Sequence, residues 1–154
     1  MLERCYSERY KKSNPTYSEC STSSEWLSFM VFRGWMDKQD WQGKELDKDI
    51  LIPNNKIYSK ETCLFVSRQV NQILCASDAA RGEWPLGVCK GRPGKFRAAI
   101  FKYNKRVHLG TFRSPEDASM VYREAKRLYI LEVSSCEKDI RVKQALIRHS
   151  ERFR

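Results

Sequence analysis

The chain has 154 residues, a hydrophobic share of 41% and 29 Lys+Arg against 19 Asp+Glu, a formal net charge of +10. That apolar content can build packed cores and excludes a wholly disordered chain, while no apolar run reaches the roughly 20 residues that a membrane-spanning helix needs. The charge is lopsided: residues 1–75 carry 11 Lys+Arg against 10 Asp+Glu and residues 76–154 carry 18 against 9, so the halves stand at +1 and +9 and are expected to do different jobs.

Leu2, Cys5, Tyr6 and Tyr10 predict a short first helix, and the polar run from Lys11 to Ser24, which holds Pro15, predicts a loop. Ser23 or Ser24 then caps a helix on which Trp26, Phe29, Phe32, Trp35 and Met36 recur at steps of three and four, until the polar stretch Asp37 to Lys44 ends it. Such an aromatic stripe reads as core packing. From Glu45 to Leu74 the order is strand, turn-rich loop, strand and short helix, with Ser67 as the helix cap and Val70, Ile73 and Leu74 facing inward. Cys75 to Pro85 contains Asp78, Gly82 and Pro85 and is the natural boundary between modules.

Beyond it the pattern changes to strands, at roughly 86–90, 95–102 and 105–112, with Asn104 in the second turn. Between Gly87 and Arg113 there are eight basic side chains and no acidic one, interleaved with Phe96, Ala98, Ile100, Val107 and Leu109 at strand spacing. Alternation then gives an apolar face toward a core and a cationic face outward, and nucleic acid is the partner such a face fits. A helix follows, with Ser114 as N-cap, Pro115 in its first position, Glu116 and Asp117 in its first turn, and an apolar stripe of Ala118, Val121, Tyr122, Ala125, Leu128 and Tyr129. The tail is helical from about Lys138 and carries Arg141, Lys143, Arg148, Arg152 and Arg154, as a solvated basic helix or as an arm on a phosphate backbone. The expected organisation is an α+β chain: a first module at 1–75, a linker at 76–86, a sheet module at 87–133 and a basic tail at 134–154. Cys5, Cys20, Cys63, Cys75, Cys89 and Cys136 form no C-x-x-C pair and follow no signal peptide, so they read as reduced thiols of a soluble, cytoplasmic protein, with a zinc site from Cys5, Cys20 and Cys63 less favoured than buried thiols.

The words GVCKGRPGKFRAAIF, RVHLGTF and SPEDASMVYREAKRLY, in that order, resemble the AP2 DNA-binding domain of plant transcription factors and phage homing endonucleases, over about Gly87 to Leu131. The resemblance implies three antiparallel strands backed by one helix, with the outer strand face in the major groove of double-stranded DNA. Arg92, Arg106 and His108 stand where relatives present Arg or Trp to DNA, while Cys89 replaces a frequent Arg, Phe101 another, and no Trp follows Pro93. The DNA-binding set is therefore Lys90, Arg92, Lys95, Arg97, Lys102, Lys105, Arg106 and His108, in which Arg and Lys supply the attraction to phosphates and Arg97 and Arg106 suit guanine edges.

RCYSERYKKSNPTY, EWLSF, LDKDIL and ETCLFVSRQVN resemble the N-terminal part of phage HNH homing endonucleases, over about Leu2 to Leu74, and the pairing with an AP2-like part is itself typical of that group. The resemblance implies a two-strand-plus-helix module. In it Asp47 and Asn71 would hold a divalent cation, Mg²⁺ or Mn²⁺ rather than zinc, against the scissile phosphate. Lys48 stands where that family has its general-base His, and Thr62 where it has the Asn that supports the base. With a reference pKa near 10.4, a lysine serves as base at neutral pH only if lowered by about three units; Asp49 is the alternative, and His108 and His149 both lie outside this module. The leading expectation is a monomeric, metal-dependent HNH-type endonuclease on double-stranded DNA with Lys48 and Thr62 in the catalytic positions. The alternatives are a DNA-binding or regulatory protein that has lost cleavage, and an adaptor that blocks a host protein through first-module aromatics.

Overall fold

The computed structural model describes residues 1–74 and 83–154, and the chain divides into two compact units, Met1–Asn71 and Gln72–Arg154. Cys75 and residues 76–82 of the expected 76–86 linker lie outside the described residues. The architecture is α+β.

In the first unit the single expected opening helix is two, α1 (Leu2–Tyr6) and α2 (Glu8–Ser13). Ser7 breaks it: its backbone is extended, and its hydroxyl accepts from the Tyr10 N–H at 3.2 Å as the cap of α2. The loop that follows holds the two-residue strand β1 (Ser21–Thr22). The aromatic helix is likewise interrupted, as a 3₁₀ turn over Ser24–Leu27, an extended Ser28, and α3 (Phe29–Met36). The break divides the stripe. Trp26 is 1% exposed and meets Phe32 and Trp35 at ring distances of 5.0 and 4.6 Å, whereas Phe29 stands 63% exposed.

Strand β2 (Glu45–Asp47) pairs antiparallel with β4 (Leu64–Val66), and between them β3 (Ile57–Tyr58) pairs in parallel with β1. After β4 the Ser67 hydroxyl accepts from the Val70 N–H at 3.2 Å and opens α4 (Arg68–Leu74). The core of this unit is Cys5, Cys20, Trp26, Tyr58 and Cys63, with Tyr17, Phe32, Trp35 and Leu46 packed against it. The three thiols act here as small apolar groups. Burial pushes Cys5 up, and pushes Cys63 up to about 11.

The second unit is an antiparallel sheet in the order β5 (Val88–Lys90), β6 (Phe96–Lys102), β7 (Lys105–Phe112), followed by α5 (Pro115–Cys136) and α6 (Ile140–Ser150). Tyr103 and Asn104, both with positive φ, make the two-residue turn between β6 and β7. Ser114 accepts from the N–H groups of Glu116 and Asp117 and fixes the start of α5. Ala98 and Ile100 are buried with Ala118, Tyr122 and Tyr129, which is the expected sheet-on-helix core.

Two members of the expected stripe, Val121 and Leu128, are 36% and 53% exposed, while Ile130 and Val133 are buried instead. The reason is that α5 packs on α6 as well as on the sheet, so its buried face is rotated and widened. Val142, Ala145 and Leu146 are the buried side of α6, and Asp139 caps it.

A cationic sheet face and a carboxylate pair

The register of β6 and β7 decides which basic side chains share a surface. Arg97 lies opposite Thr111 and Ala98 opposite Gly110, but Ala99 lies opposite His108, so one residue, Leu109, is extra on β7. This is a β-bulge at Gly110, whose φ of 146° strains any other residue, and it inverts the alternation of the strand. Without it, Arg106 and His108 would fall on the face opposite to Arg97. With it, Arg97, Arg106 and His108 share the face that carries Cys89, Phe101 and Thr111, while Ala98 and Ile100 face α5.

On that outer face the Arg106 guanidinium donates to Cys89 Sγ at 3.6 Å, and His108 Nε2 stands 3.5 Å from the Thr111 hydroxyl. Arg97, Arg106 and His108 are all exposed, as is Phe101 at 57%. Arg92 and Lys95 sit in the turn between β5 and β6, which is closed by Lys95 N–H to Arg92 C=O and Gly91 N–H to Lys95 C=O bonds of 2.9 and 2.8 Å.

The other three nominated residues are placed differently. Lys90 lies opposite Phe96 and Lys105 opposite Lys102, so they have the parity of the helix side, though both are exposed. Lys102 donates to the Glu132 carboxylate on α5 at 2.5 Å, and its ammonium lies 5.4 and 5.3 Å from the rings of Tyr103 and Tyr129. It fastens the hairpin to the helix.

In the first unit, Asp47 ends β2. Its Oδ1 accepts from the N–H groups of Asp49 and Ile50 at 2.8 and 2.7 Å, which turns the chain sharply away from the strand. Burial raises the carboxyl above its ordinary range, and those two N–H bonds oppose the rise. Asn71 on α4 donates to Glu45 Oε2 at 2.5 Å. Glu45 and Asp47, two apart on β2, share a face, so the strand offers two carboxylates and α4 an amide beside one of them. Glu45 is not among the expected site residues; its two-residue spacing from Asp47 on a strand is the signal that points to it.

Lys48 is 7% exposed. Its Nζ donates to both Asp49 oxygens, at 2.8 and 2.7 Å, and to the Asn55 carbonyl at 2.7 Å, and it lies 5.9 Å from the Tyr58 ring. Asn55 answers by donating to the Lys48 and Ile57 carbonyls at 2.9 and 2.6 Å. All three ammonium hydrogens are engaged, and the loop is latched around them. Thr62 Oγ1 donates to the Ile57 carbonyl at 2.7 Å and accepts from the Ser59 N–H at 3.2 Å, which pins the turn before β4. Among the described residues, no three His, Cys, Asp or Glu side chains converge as a metal site.

No family model, curated protein or solved structure matches this chain. Among the described residues no helix is long and apolar enough to cross a membrane.

Proposed function

We propose that the chain is a double-stranded DNA-binding protein that seats the outer face of its three-stranded sheet on the duplex. The observation that carries this reading is the bulge, which sets Arg97, Arg106 and His108 on one exposed face in a stretch with no acidic residue between Gly87 and Arg113. Guanidinium groups on a rigid sheet suit guanine edges in the major groove, and the turn cations Arg92 and Lys95 suit phosphates. The AP2-like words of the same stretch support it. Fluorescence anisotropy with a labelled duplex at low ionic strength is the test. Salt-sensitive binding that Arg97→Ala/Arg106→Ala weakens at least tenfold is the expected result, and no measurable affinity for any duplex would overturn it.

A second reading, hydrolysis of the bound DNA on the plan of HNH homing endonucleases, is favoured by the Glu45, Asp47 and Asn71 oxygens. These donors fit a hard cation, and Asp47, raised by burial, is the kind of carboxylate that a bound cation would relieve. Mg²⁺ or Mn²⁺ bound there would polarise a phosphate oxygen and acidify a water. Against this stands Lys48, which occupies the general-base position with its ammonium fully engaged, while Thr62 holds a turn. DNA binding without cleavage is therefore the better supported reading. Metal-dependent nicking of a plasmid by the parent chain, lost in Asp47→Ala, would reverse that preference.

A further inference from the structure

The positive charge of the second unit is not confined to the sheet. Lys138 to Arg154 holds six Lys and Arg against two acids, Asp139 and Glu151. Val142, Ala145, Leu146 and Ser150 are the buried side of α6, and Arg141, Arg148 and Arg152 follow one another along a single exposed flank, at steps of seven and four. Arg141 is paired with Asp139 at 2.6 Å. Arg148 and Arg152 are exposed and form no ion pair among the described residues. At 1.5 Å per residue the row spans about 16 Å, the length of roughly five base pairs of one DNA strand.

The side of the unit on which this row sits follows from α5. Ala118, Tyr122 and Tyr129 face the sheet: the Tyr122 ring covers Gly87, and the Tyr129 hydroxyl accepts from the Tyr103 N–H. Arg123 and Arg127 come five and nine residues after Ala118, which turns them about 140° and 180° away around the helix. There Arg123 donates to the Arg154 carbonyl, and Met120, Arg123, Glu124 and Arg127 form a groove with Phe153 and Arg154. The final turn, Glu151–Phe153, with Arg152 in it, is thus held on the flank of α5 remote from the sheet.

A helix with its side chains is about 10–12 Å across, so α5 separates the final turn, which carries Arg152, from the sheet. A duplex seated on the sheet would have to bend around α5 to reach the Arg152 end of the row. Bending so short a stretch of duplex carries a deformation cost that the added contacts must offset.

We infer that the α6 row is a second site for duplex DNA, so that one copy of the chain bridges two DNA segments; this rests on the sheet-face reading proposed above. The unpaired Arg148 and Arg152 fit the regular phosphates of a duplex, which guanidinium groups bind bidentately. An acidic polypeptide is the competing polyanion.

The test is stoichiometry with 16-base-pair duplexes at low salt, read by analytical ultracentrifugation with the full chain. Bead-bound duplex capturing a second, fluorescent duplex is the companion assay. The expected result is a complex of one chain with two duplexes. Arg148→Glu/Arg152→Glu should reduce this to one duplex, leave the first affinity within threefold, and cut capture at least tenfold. Arg148→Gln/Arg152→Gln should do the same in milder degree, which separates lost attraction from misfolding. One duplex per chain in the parent would overturn the bridge and leave the sheet reading intact, whereas no duplex at all would remove both. Two duplexes holding two chains would assign bridging to a dimer and overturn it. So would a parent that binds polyglutamate through Arg148 and Arg152 but takes no second duplex.

Discussion

Lys48 and His149 show how single side chains in this chain are committed by their surroundings. The Lys48 ammonium is buried beneath three acceptors, so Lys48→Met should leave Asp49 and the Asn55 carbonyl without their donor and loosen the loop between β2 and β3. The loss should be about 2 kcal/mol, below that of a fully buried pair because Asp49 is half exposed, and urea denaturation reads it directly. A lysine acting as base would show a different signature, a loss of cleavage without a loss of stability. His149 is lowered to about 4, chiefly by burial and further by the charges of Arg152 and Lys126, with the Ile73 carbonyl as a partial counterweight. Its folded pKa lies below the unfolded value near 6.5, so the neutral ring's stabilisation is complete above pH 6.5 and is lost as pH falls toward 4. Between pH 7 and pH 4.5 the parent should lose about 1 kcal/mol more than His149→Gln, the partly exposed ring being screened by solvent, and the comparison subtracts the other acids. Equal losses in the two proteins would remove His149 from the account.

At the level of elements, Gly87 ties the first strand of the sheet to α5. It has a φ of 77°, and a Cβ there would stand 1.9 Å from the Tyr122 ring, so Gly87→Ala meets both backbone strain and a clash. We expect a loss of at least about 3 kcal/mol, partly restored by Tyr122→Leu in the same chain, where additivity would mean that the two residues do not meet. Ser114→Ala, by contrast, removes only a cap and should cost about 1 kcal/mol in thermal denaturation. The three strands and the capped α5 were legible in the sequence because their signals are local: alternation, a turn at Asn104, and Ser114 before Pro115. The breaks at Ser7 and Ser28 leave no such local signal, since a serine inside an apolar period interrupts a helix only when the flanking packing favours two short ones, and of the two only Ser7 caps the next helix with its hydroxyl. The parallel pairing of β1 with β3 joins residues 36 apart and leaves no periodic trace. The bulge was hidden for a related reason. Strict alternation groups Val107 and Leu109 with the apolar residues of β6, and only the Ala98 to Gly110 register, followed by Ala99 to His108, shows that the strand changes face. In the first unit the expected pair is Asp47 with Asn71, and what α4 brings to β2 is a bond from Asn71 to Glu45. Charge alone groups Lys102 with the DNA-facing cations, because its partner Glu132 lies thirty residues away in the sequence.

For the whole molecule the informative quantity is the division of charge, +1 in residues 1–75 and +9 in residues 76–154. Long-range attraction to a polyanion follows such an imbalance, and each phosphate that a cation neutralises releases counterions, so affinity falls linearly with salt on logarithmic axes with a slope of about −0.9 per contact. The two halves therefore make separable predictions. Replacing the turn cations Arg92 and Lys95 with alanine should flatten the slope by about two units as well as lower affinity. In the first unit, Lys60 is already satisfied by Glu25 at 3.1 Å on an exposed surface, and Lys60→Ala should leave the slope unchanged. Arg92→Ala in the turn should weaken binding by a similar factor on every duplex tried, because a phosphate contact carries no sequence information; Arg106→Ala should weaken the preferred sequence most, because a base contact does. Titrations of these four proteins between 50 and 200 mM salt, on a selected and a scrambled duplex, measure all of these effects together. A slope that Lys60→Ala changes as much as Arg92→Ala would mean that the first unit shares the phosphate surface, and the division of labour inferred from charge would fail.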